Sequence, residues 1–199
     1  MQSPDGFAIF SFRPNGITVS EASVAAGSAG VSFRLYAESS GMFTAGSIQS
    51  GLAIANGSSS PATVMLELAA LDGSAVGAPA VITLPANGQV AMFLNQVPAF
   101  ASLITPFQGA LRVSSGSTIS VTGLRCRYNE RNEFLITTTP ASSDVIAGPD
   151  RSLFFPHVVD SEGFTTQFIL LSHDPRLTTS TSVELFSASG TPVHVLLAN

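Results

Sequence analysis

Residues able to do chemistry are sparse in this chain, and the densest group of them is RCRYNERNE, Arg125 to Glu133. Alternating signs in a loop between two strands can bind a partner or orient a ligand, which makes Arg125, Arg127, Glu130 and Arg131 candidate interaction residues. The same signs can also neutralise each other. Arg125 and Arg127 share one strand face with Glu130 and Glu133 in reach, so a charge-paired loop that fixes its own geometry is the plainer expectation. The three histidines, His157, His173 and His194, have no zinc-ligand spacing. Asp144, Asp150, Asp160 and Glu162 offer carboxylates, yet without the Asp-x-Asp-x-Asp-Gly order of a calcium loop.

Cys126 is the single cysteine. It rules out a disulfide within the chain and a thiolate zinc knuckle, and its setting LRCRY reads as a small buried side chain on a strand. No GxSxG elbow, HExxH, phosphate-binding loop, GxGxxG or CxxC occurs. With no Trp and 2 Tyr, an aromatic platform for sugar would have to be built from Phe. Most Phe are better placed as alternating core residues: Phe7, Phe10, Phe12, Phe33, Phe154, Phe168 and Phe186. Asn56-Gly57-Ser58 satisfies the glycosylation triplet, which reads here as an exposed turn. The expectation is a protein that is not an enzyme and needs neither cofactor nor metal.

Composition narrows the class further. Hydrophobic residues make up 45% of the 199, enough for a packed core, while charged residues reach only 11%. A net charge of −5 gives no electrostatic basis for nucleic-acid binding. No run approaches the ~20 apolar residues of a membrane span. The start, Met1 then SPDG, reads as a cut or mature end and carries no signal-peptide pattern.

Positioning falls to strands. Alternating apolar and β-branched residues predict them near 7–13, 17–22, 31–38, 50–56, 62–70, 79–84, 88–95, 108–114, 118–128, 133–139, 152–158, 164–172, 181–187 and 192–197. Gly, Pro, Asn and Asp punctuate the series, and Pro14-Asn15-Gly16 predicts a hairpin over 7–22. Only 97–107 suits a short helical turn, limited by Pro98 and Pro106. The fold class expected is all-β, an antiparallel sandwich.

The chain also repeats itself out of phase with its ends. SGLAIANGSSSPATVMLELAALDG (Ser50 to Gly73) is answered by TQFILLSHDPRLTTSTSVELFSASG (Thr166 to Gly190), and FRLYAE (Phe33 to Glu38) by LFFPHV (Leu153 to Val158). FAIFSFRPNGITVSE (Phe7 to Glu21) resembles Ile119 to Thr139. The order is tail, whole, head. Residues 1–27 are the closing hairpin of a repeat, 28–140 a complete one, 141–151 a linker and 152–199 the first half of another. Incomplete modules expose apolar faces and open strand edges, so the two ends are expected to complete one sandwich, in cis or in trans. The residues expected to meet there are Phe7, Ile9, Phe10, Phe12, Ile17 and Val19 with Phe154, Phe168, Leu170, Val183 and Leu185.

The strings SGLAIANGSSSPATV, LPANGQVAMFLNQ, FQGALRVSS, LRCRYNERNEFLITTTP and LFFPHVVDSEGFTTQFIL resemble immunoglobulin-like β-sandwich repeat modules of large secreted or surface proteins of environmental bacteria, a group without an assigned activity. The resemblance implies an extracellular or cell-surface structural or adhesive module that self-associates, as a homo-oligomer or a head-to-tail filament. The alternative is a module binding a surface glycan or another ligand.

Overall fold

The computed structural model describes residues 6–27, 29–144, 153–171 and 182–193. Its strands are β1 (Phe7–Phe12), β2 (Ser20–Ala25), β3 (Gly30–Ser40), β4 (Ile48–Asn56), β5 (Ala62–Ala70), β6 (Ala75–Leu84), β7 (Gln89–Phe93), β8 (Phe107–Tyr128), β9 (Phe134–Thr139), β10 (Ser142–Ser143), β11 (Leu185–Phe186) and β12 (Pro192–Val193). Every ladder is antiparallel. The all-β sandwich expected from the alternation is what forms.

The main departure from the sequence reading lies at β8, where two strands were expected and one of 22 residues is found. A straight strand that long would run roughly 70 Å, far more than a domain of this size can accommodate, so it must serve two sheets. Its first half lies between β3 and β5, in registers such as Leu35↔Leu111 and Leu66↔Val113. Its second half lies between β4 and β9, with Leu52↔Gly123 and Cys126↔Ile136. The changeover falls at Ser115-Gly116-Ser117, where the Ser115 hydroxyl accepts from the Ser117 amide and donates to the Thr63 carbonyl. Small residues and side-chain hydrogen bonds let the ladder change sheets without a break, and no turn signal was needed.

One sheet thus runs β10-β3-β8-β5-β6 and the other β7-β4-β8-β9. Their facing sides share a core of Phe33, Leu35, Leu52, Ile54, Val64, Leu66, Leu111, Val113 and Ile119, all at most 3% exposed. Two single 3-10 turns, Leu94–Gln96 and Pro98–Phe100, replace the one expected helical turn, and they send Leu94, Val97 and Phe100 into that core. Gly109 has no room for a side chain, because a Cβ there would strike the Ala69 carbonyl and the Phe107 ring.

The N-terminal hairpin forms with six registered pairs, Phe7↔Ala25 to Phe12↔Ser20. β2 starts at Ser20 instead of 17. Asn15 and Gly16 both take positive φ, 56° and 81°, and the wider loop they shape closes with the Val19 amide on the Phe12 carbonyl. The hairpin flanks β9 of the same chain. Both the Ile136 amide and its carbonyl engage the Ser20 hydroxyl, at 2.9 and 3.0 Å, and the Thr138 hydroxyl donates to the Ser23 carbonyl.

The C-terminal part departs furthest from expectation. Residues 153–158 and 164–171 form no strand, and of 181–187 only β11 does; the remainder of 172–181 and 194–199 lies outside the described residues, as does the linker over 145–152. The complete copy shows why. There β3 pairs with β4 at only two positions, whereas β3, β4 and β5 each pair with β8 along most of their length. Among the described residues no strand takes the part of β8 beside 153–171, and apolar alternation without a ladder partner does not make a strand. The β5–β6 hairpin needs no β8, and its echo does form. Leu68↔Val76 recurs as Leu185↔Val193, and the turn bonds Ala70 to Ser74 and Gly73 to Ala70 recur as Ser187 to Thr191 and Gly190 to Ser187. All are displaced by the same 117 residues (68 to 185, 74 to 191), and Gly73 and Gly190 match in φ at 85° and 80°.

If β8 is the shared scaffold, Leu111→Ala will cost about 2–5 kcal/mol of stability in urea unfolding, whereas Ile104→Ala, at 84% exposure, will change it by less than about 0.5 kcal/mol.

Candidate functional site

The polar loop closes on itself. Arg127 pairs with Glu130, and Arg131 reaches Glu133 at 2.7 Å. Asn129 organises the turn: its Oδ1 accepts from the Arg131 and Glu133 amides and its Nδ2 donates to Glu133 Oε2. Those bonds, from Asn129 first and then from Arg131, hold the Glu133 carboxyl below the ordinary carboxylate range. Arg125 does not join the loop, contrary to expectation. It points across the sheet to Glu38 on β3 at 3.0 Å, because the second half of β8 brings it beside β4 and the end of β3.

A second network was not singled out from the sequence. Asp144, just past β10, takes Arg34 on one oxygen at 2.6 Å and Arg112 on the other at 3.0 Å, and Arg112 continues to Glu67 at 3.3 Å. Asp144, one of the carboxylates considered for calcium, is thereby committed to two guanidinium groups. Asp160 and Glu162 stand on an exposed turn and His157 is exposed; Asp150, His173 and His194 lie outside the described residues. Among the described residues no three His, Cys, Asp or Glu side chains come together as a metal site.

Cys126 is 1% exposed, and burial pushes its thiol up to about 12. The turn after Asn56 is exposed at Gly57, Ser59 and Ser60, as expected, but Asn56 itself is buried. Only 1% of it is exposed, and its Nδ2 donates to the Ser60 and Pro85 carbonyls while its Oδ1 accepts from Ser58. Asn56 is a buried latch joining the loops after β4 and β6. A short polar side chain in a turn competes well for local backbone groups, and here the neighbouring connection folds over it.

The apolar candidates divide sharply by exposure. Phe7, Ile9 and Ile17 are 71%, 64% and 70% exposed, and Phe12 lies edge-on to Phe134 at 5.3 Å between ring centres. Phe10 and Val19 are half-buried. In the C-terminal part Phe154 is 89% exposed and Leu170 45%. Val183 is exposed as well, Leu185 is half-buried, and Phe168, also half-buried, lies edge-on to Phe155. Phe7, Phe154 and Phe186 are therefore surface, not core, Phe12 has only an edge contact with Phe134, and Phe10 and Phe168 are half-buried, because neither end is enclosed in a second sheet among the described residues. A groove of about 390 Å³ lies elsewhere, at the end of the sandwich, between Leu68, Val76, Phe100 and Ile104. Its wall is apolar.

No helix is long and apolar enough to cross a membrane among the described residues. No family model and no curated protein matches the sequence. Among solved structures, a Thermotoga maritima protein designated 1070 is similar at 12% identity and a TM-score of 0.45, over 57% of this chain and 93% of that one. The Anabaena sensory rhodopsin transducer is similar at 21% identity and a TM-score of 0.37, over 46% and 90%. Likenesses this weak carry no functional argument.

Two outcomes test this geometry. Asn56→Ala will cost on the order of 1–3 kcal/mol in denaturant unfolding, since it removes a buried side chain whose hydrogen bonds to Ser58, Ser60 and Pro85 join two loops. Cys126 will stay silent toward a thiol reagent at pH 8 until the protein is unfolded, because both its burial and its raised pKa disfavour the reactive thiolate.

Proposed function

We propose that this protein is a non-catalytic structural module that associates with copies of itself by strand complementation through its two ends, as a building block of an extracellular assembly. The observation that carries the reading is the contrast in burial. A closed sandwich satisfies its own core and its own charges, while the hairpin and the C-terminal segment hold Phe7, Ile9, Phe154 and Leu170 in solvent. Covering one such side chain is worth about 1.5–3 kcal/mol, so several together can offset the entropy lost on association.

The polar groups support a structural part and not a chemical one. The arginines at 34, 112, 125, 127 and 131 each have an acidic partner in place, which spends them on geometry. The hairpin supports association because, among the described residues, β1 pairs with β2 alone and no strand lies on its outer edge. Open edges flanked by apolar faces are what strand addition uses.

Light scattering with size exclusion across a wide concentration range tests the reading. The average mass of the intact chain will rise with concentration, and that of Phe7→Ser/Ile9→Ser will not, with the unfolding midpoint of the sandwich unchanged. A sharp monomer for the intact chain at every concentration overturns it.

A further inference from the structure

The complete copy contains a template for how one end would meet the other. Within it, β4 lies antiparallel to the second half of β8 with Ile48↔Arg127, Gln49↔Cys126, Ser50↔Arg125, Gly51↔Leu124 and Leu52↔Gly123. The hairpin echoes the neighbouring ladder, six pairs from Gly123↔Thr139 to Tyr128↔Phe134 answering six from Phe7↔Ala25 to Phe12↔Ser20. Phe7 thus stands for Gly123 and Phe12 for Tyr128. The C-terminal segment echoes β4, with Thr166 standing for Ser50 and Phe168 for Leu52.

We infer that residues 164–168 of a second copy add to the open edge of β1, antiparallel and in the register Ser11↔Phe164, Ile9↔Thr166 and Phe7↔Phe168. This rests on the strand-complementation reading above and names its partner, edge and register. Two features of the structure favour it. The hairpin is hydrogen-bonded to β9 through Ser20 and Ser23 of β2, and β1 adds only the Phe12–Phe134 ring contact at its far end, so a strand can add along Phe7 to Ser11 without disturbing those hydrogen bonds. Residues 164–168 form no strand among the described residues and leave Phe164 61% exposed. In that register Phe7, Ile9 and Ser11 share one face with Phe164, Thr166 and Phe168, because directly opposed residues project to the same side of an antiparallel pair. The solvent-facing aromatic Phe7 is then opposed by an aromatic partner. A one-residue slip would set each of these against the other face. Because the donor and acceptor surfaces differ, the contact is heterologous, and it builds a fibre unless the rotation between copies closes it into a ring.

Single-cysteine variants in a Cys126→Ala background test it, since mixing two of them permits a mixed disulfide only between chains. One partner carries an isotopic label, and the linked peptides are identified by mass spectrometry. Ile9→Cys with Thr166→Cys, and Phe7→Cys with Phe168→Cys, will cross-link on mild oxidation. Ile9→Cys with Leu170→Cys, four residues out of register, will not rise above the level seen in denaturant. Equal linking of the out-of-register pair overturns the register, as does a bond that forms only when both cysteines sit in one chain. Absence of cross-links while mass still rises with concentration overturns this inference and leaves the broader reading standing. Absence of both removes the two together.

Discussion

The backbone hydrogen bonding of β8 is the constraint on which the rest depends. Four strands, β3, β4, β5 and β9, take their ladders from it, and the two sheets are two halves of one sandwich because a single bent strand belongs to both. An unpaired strand in water has no net gain from its backbone groups and bears the entropy of being extended. Segments that find a ladder partner, on β8, in a hairpin or, for β7 and β10, on β4 and β3, are therefore ordered as strands, and among the described residues 153–158 and 164–171, with a similar apolar pattern but no such partner, are not.

That single rule accounts for the contrast between the two copies. Leu153 to Leu171 has the hydrophobic content of β3 and β4, yet in the complete copy those strands touch each other at only two positions and rely on β8 for the remainder. β11 and β12 form because a tight hairpin is local, closing over a Gly at positive φ with the same two turn bonds as its counterpart. Local chemistry survives without the scaffold; long-range pairing does not.

Charge plays a supporting part. The ion pairs tie the linker after β9 to β3 and β8 through Asp144, and the loop after β8 to itself through Asn129. The loop pairs at Arg127 and Arg131 are exposed and contribute little stability singly, whereas Asp144 and Arg34 are largely buried. Their effect is to fix directions: Asp144 holds β10 along the edge of β3, which blunts that edge against further pairing, while among the described residues no strand covers the outer edge of β1.

The sequence by itself determined the β character, the turns at Pro14-Asn15-Gly16 and Gly73, the burial of Cys126 and the 117-residue echo. These depend on alternation, on positive φ and on residue identity, all of which are local. The sequence also marked the polar cluster, and its self-pairing follows from charges two to four residues apart. It was silent on β8 as one strand, on the partner of Arg125, on the buried latch at Asn56 and on the failure of 153–171 to form strands. Each of these turns on which distant segment lies alongside, and tertiary structure alone decides that, because a hydrogen-bonding edge has no sequence signature until something occupies it.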